Sequence, residues 1–157
     1  MAFESGFLND PVRVGAGERY GNTNVILSAD GFEDGLKVGH FVQLLDGEIA
    51  NLNETADPVI AGVPLRNVAA SVESDGTVDA SLYSSVEYLR QGLVTVRVAE
   101  GAEPVQFGRV YADNATGEAL TTGGIPTAGE FIREVKEGVW LIHMAGIVEV
   151  TAPAEGG

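Results

Sequence analysis

Two histidines, His40 and His143, are the side chains best suited to proton transfer near neutral pH. A catalytic histidine needs a nucleophile or an orienting carboxylate within reach. His40 follows Val38-Gly39 at the start of an apolar run, and His143 alternates with Leu141; neither stands in a motif with Ser or Asp. The patterns G-x-S-x-G, H-E-x-x-H and G-x-x-x-x-G-K-[ST] do not occur. Acidic residues offer a second route to chemistry. Asp30-Gly31-Phe32-Glu33-Asp34-Gly35 has Phe32 at the third position, where a calcium loop of the EF-hand type requires an oxygen ligand. Asp113-Asn114-Ala115-Thr116-Gly117-Glu118 could gather oxygens, but it reads better as a loop with Asx-type turn residues. No carboxylate pair is singled out for glycoside hydrolysis. Cysteine is absent, which excludes disulfides, thiolate metal sites and a Cys nucleophile. The residues therefore name no catalytic group, no metal and no cofactor, and the expectation is a protein that is not an enzyme.

Charge points toward partners. The 157 residues carry 23 acids and 9 bases, a net charge of −14. A body this acidic repels nucleic acid and anionic membranes, and it complements a basic or dipolar protein surface. No apolar run approaches the roughly 20 residues of a membrane-spanning helix. The first ten residues, MAFESGFLND, have neither the basic nor the long apolar region of a secretory signal. Arg66, Arg90, Arg97, Arg109 and Arg133 are scattered without a basic stripe and suit pairing with the many acids.

The elements that would position any site are short strands. Asp46-Gly47 separates Val42–Leu45 from Glu48–Leu52, a strong hairpin signal because both turn positions need positive φ. Val68–Val72 and Thr77–Val78 flank a second turn, and Phe131–Val135 and Val139–Met144 flank a third at Lys136-Glu137-Gly138. Val25–Ser28, Val59–Leu65, Gln106–Tyr111 and Ile147–Thr151 add single strands. Leu82, Val86 and Leu89 fit a helical face, but Val86, Tyr88 and Arg90 alternate, and a strand from Val86 fits better. Gln91-Gly92 reads as a turn into Leu93–Val98, and Thr121–Gly129 reads as a Thr/Gly/Pro loop. The pattern predicts an all-β fold, a compact antiparallel β-barrel or sandwich, with closure removing exposed edges.

The first 23 residues differ. They show no period of 2 or 3.6, and they place Phe3, Phe7, Leu8, Arg13, Arg19 and Tyr20 among Gly, Asn and Asp. Such a segment cannot form its own core and must lie on another surface or fray. The expected organisation is an extended N-terminal arm over 1–23, a β-domain over 24–152 and a flexible tail over 153–157. Those six arm residues are the expected partner contacts.

Gly76-Thr77-Val78-Asp79-Ala80-Ser81-Leu82-Tyr83 faintly resembles a motif of trimeric dUTP nucleotidohydrolases. Its Asp-to-Tyr spacing is one residue too long, which turns every later side chain to the other face of a strand. A broader likeness covers about residues 36 to 148. Gly92-Leu93-Val94-Thr95-Val96-Arg97-Val98 followed by Phe107-Gly108-Arg109-Val110-Tyr111 resembles the structural cement, or capsid decoration, proteins of tailed bacteriophages. Ile60-Ala61-Gly62-Val63, Val86-Glu87-Tyr88, the Phe131–His143 hairpin and the opening Met1-Ala2-Phe3 are similar too. The resemblance implies a multicopy virion protein on the outer surface of the head. It would bridge neighbouring major capsid protein subunits as a homo-oligomer (trimer or dimer), and it would have no catalytic residue, no nucleic-acid partner and no membrane. The alternative is a virion surface β-module that binds host carbohydrate or receptor, for which an aromatic patch around Trp140 or Tyr83 would speak.

Overall fold

A computed structural model describes residues 16–17, 19–65, 77–78 and 85–145, with backbone alone at 20–23 and 77–78. Among the described residues every regular element is a strand: β1 (Arg19–Ala29), β2 (Leu36–Lys37), β3 (Val42–Leu45), β4 (Glu48–Asn51), β5 (Val59–Pro64), β6 (Thr77–Val78), β7 (Val86–Arg97), β8 (Arg109–Ala112), β9 (Ala119–Leu120), β10 (Ile125–Lys136) and β11 (Val139–Ala145). Nine of them form one antiparallel sheet in the order β4-β3-β5-β7-β11-β10-β8-β9, with β1 on β7, and the sheet curls into a half-barrel. The remaining two, β2 and β6, pair with each other.

β7 organises the sheet. One edge carries β1 along most of its length. The other carries β5 at Tyr88 and Leu89, then β11 from Gln91 to Arg97. Val94 and Val96 point into the main core with Phe41, Leu89, Val110, Phe131 and Ile142, all fully buried. A smaller cluster of Leu36, Val42, Ile49, Ala61 and Val86 sits beneath β2 to β5.

The two ends of the curled sheet meet through the Asp113–Gly117 loop. Phe41 N–H donates to Gly117 O (2.8 Å), Glu54 N–H to Asn114 O (2.7 Å), and Asn114 Nδ2 to Thr55 O (3.0 Å). Val98 forms a parallel bridge to Ala119, tying the edge strand β9 back to the end of β7. The loop itself is the expected Asx turn, with Asp113 Oδ1 accepting from Ala115 N–H at 2.8 Å.

The Asp46-Gly47 hairpin forms as the dipeptide predicts, with φ of 53° and 83° at the two turn residues. The Phe131–Met144 hairpin forms as well. Four expectations are corrected. Gln91-Gly92 is not a turn: β7 runs through it as one 12-residue strand, because Gly92 takes φ 124° against a bulge in β1. The Thr121–Gly129 loop is shorter than expected, since β10 begins at Ile125. There Thr127 Oγ1 donates to Val110 O (2.7 Å) and accepts from Gly129 N–H (3.1 Å), replacing ladder bonds where three residues of β10 stand against Val110. β8 starts at Arg109 rather than Gln106, because Phe107 turns the chain with φ 67°. β1 also reaches back to Arg19, well before the expected Val25. Thr77–Val78 pairs with Leu36–Lys37. The expected strands at 68–72 and 147–151, and the tail, lie outside the described residues.

Candidate functional site

His40 is half-buried in the loop before β3. Its Nδ1 donates to Val38 O at 3.0 Å, which makes Nδ1 the protonated nitrogen of the neutral ring. Burial pushes its pKa below the ordinary histidine value; the Val38 hydrogen bond opposes that shift and nearby Lys37 adds to it. Among the described residues the ring's hydrogen-bond partner is the Val38 carbonyl, a packing arrangement. His143 is exposed on β11 opposite Glu130.

The acid-rich loops are committed to the backbone. Glu33 Oε1 accepts from Asn51 N–H (2.9 Å), and Ile49 exchanges backbone bonds with Gly31 and Glu33, pinning the 30–35 loop to β4. Among the described residues no three His, Asp or Glu side chains converge on one point. Arg90, expected at the surface pairing with acids, instead turns inward and donates to the carbonyls of Ile60 and Ala61, where β5 and β11 part along β7. Trp140 packs edge-to-face with Phe131 (centroids 5.5 Å, 78°) and is half-buried against the core. Tyr83 lies outside the described residues.

Among the described residues, apolar side chains stand exposed in three places. Val25 and Leu27 stand exposed on β1. Leu44 and Val59 are cross-strand partners, both exposed. Val105 and Phe107 are the most exposed, at 66% and 65%. Arg19 is exposed in β1 opposite Val94, and Tyr20 lies opposite Leu93. Phe3, Phe7, Leu8 and Arg13 lie outside the described residues. Sequence reading did not pick out Phe107, because only the fold tells an exposed aromatic from a core one.

A family model described as structural cement protein (E217 gp24/Pam3 gp6) matches residues 10–152. The chain belongs to this family of phage structural cement proteins. A solved chain from the capsid of Myoviridae phage XM1 has the same fold, with a TM-score of 0.78 and 28% identity over 84% of this chain and 90% of that one. Comparison with curated proteins gives no match. The family places this cement protein in the virion as a capsid-associated structural component. The family match extends from the β-body back to residue 10, so it takes in part of the segment preceding β1.

Proposed function

We propose that this cement protein binds the outer surface of the phage head and bridges neighbouring major capsid protein subunits, stabilising the shell. The family match over residues 10–152 carries the reading. Three features support it. The net charge of −14 disfavours a position facing packaged DNA. The clasped half-barrel gives a rigid body of the kind a mechanical link requires. Repetition over a lattice turns modest contacts into strong retention. In this reading the N-terminal arm reaches a shell subunit through Phe3, Phe7, Leu8 and Arg13, together with Arg19 and Tyr20 at the start of β1, and copies of the chain associate as dimers or trimers on the head.

Sedimentation of the purified protein with undecorated heads tests the reading. Saturable, stoichiometric co-sedimentation is expected, along with a higher temperature of head disruption. Failure of the full chain to sediment with heads would refute it.

A further inference from the structure

Phe107 combines two features that oppose stability unless something uses them. An aromatic ring left 65% exposed forgoes burial, and φ of 67° is costly for a residue with a large side chain. The chain nevertheless fixes it there. Phe107 N–H donates to Phe131 O (2.6 Å), Phe131 N–H donates to Gly108 O (2.9 Å), and Gly108 N–H donates to Val105 O (3.0 Å). Phe131 is itself fully buried, so the loop is tacked to the core of the half-barrel. The result is a rigid apolar tip of Val105 and Phe107 whose ordering cost is met before any partner arrives. Beside it runs a groove floored by Thr127, Ala128 and Gly129.

The register places this tip relative to the N-terminal segment. Phe107 bonds Phe131, Phe131 pairs with Ile142, Ile142 with Val94, and Val94 with Arg19. Four strand spacings of about 4.8 Å separate the tip from the root of that segment, ~19 Å measured along the curved sheet. The tip and Arg19 therefore sit at opposite margins of one four-strand layer.

We propose that the Val105–Phe107 tip is a second anchor, which inserts into an apolar recess of a shell subunit other than the one held by the N-terminal segment. This rests on the capsid-bridging reading above. The occupant is chosen by charge. The groove beside Phe107 carries Arg109, Glu130 and His143, and the connecting loop adds Glu100 and Glu103, so three carboxylates stand against one arginine on a chain of net charge −14, and the complement is an apolar recess rimmed by Lys or Arg. A second copy of this acidic chain is the poorer fit.

Phe107→Gly removes the ring and suits the backbone, so the variant should keep or raise its melting temperature. Its affinity for undecorated heads should fall at least tenfold, measured by co-sedimentation at equal salt, with sedimentation-velocity mass unchanged. Glu103→Lys should weaken binding further at low salt. If the wild-type chain binds heads and Phe107→Gly binds equally well, the anchor is refuted while the capsid reading stands. A loss of self-association with unaltered head binding would likewise overturn it, in favour of a contact between copies.

Discussion

Asn24 completes a backbone ladder that β1 interrupts at Gly92. Between the Tyr20–Leu93 and Val25–Gln91 pairs, residues 21–24 of β1 stand against Gly92 alone. The Asn24 side chain turns in, and its Oδ1 accepts the Leu93 N–H at 3.1 Å. A Cβ on Gly92 would overlap that oxygen, and Gly92 holds φ 124°. Gly92→Ala therefore combines overlap with backbone strain and should destabilise the fold by ~3 kcal/mol. Asn24→Ala leaves the Leu93 N–H without its acceptor, at a cost of about 1–3 kcal/mol. Urea unfolding of the two single variants and the double variant measures both; a double-variant cost well below the sum shows that the two residues act together.

Phe131 links the core to the exposed loop. It is fully buried, it packs perpendicular to Trp140, and its backbone holds Phe107 and Gly108. Phe131→Ala should cost about 3–5 kcal/mol. Hydrogen exchange at Phe107 N–H should rise more than exchange within the β3–β4 hairpin.

His40 sets a pH dependence of known sign. Its folded pKa lies below the unfolded value of about 6.5, so the unfolded chain binds more protons between the two. Stability from this group is present above about pH 6.5 and falls as pH drops toward the folded value. Acid carboxylates contribute their own slope, so the comparison is with His40→Gln. The fall in melting temperature from pH 7.5 to 5.5 should be smaller in the variant than in the wild type.

Truncation separates the arm from the sheet. Gly17 N–H donates to Thr95 O (2.7 Å), and Ala16 lies where a side chain on Gly39 would be. Removing residues 1–15 leaves these contacts and should change the melting temperature by no more than a few degrees while reducing head binding. Extending the deletion through Tyr20 removes the Arg19–Val94 and Tyr20–Leu93 pairs and should lower stability as well.

Local chemistry made much of this fold legible. Asp46-Gly47 and Lys136-Glu137-Gly138 signalled their hairpins because turn geometry depends on adjacent residues alone. Gln91-Gly92 misled for the complementary reason. Glycine marks a turn or a close approach equally well, and the group that decides between them, Asn24, is 68 residues from Gly92 in sequence. Thr127 was hidden in the same way, since its acceptor Val110 belongs to another strand. The candidate contact surface was the least legible part. Hydropathy treats Phe107 and Phe131 alike, and only the register shows that one faces the core and the other faces solvent.

In the proposed function one molecule links two shell subunits. A cryo-electron microscopy reconstruction of heads decorated with the full chain tests it most directly. The expected density lies on the outer surface, each copy touching one major capsid protein subunit through the N-terminal arm up to Tyr20 and a neighbouring one through Val105 and Phe107. Copies seated wholly on single subunits, or on the inner face of the shell, would contradict it.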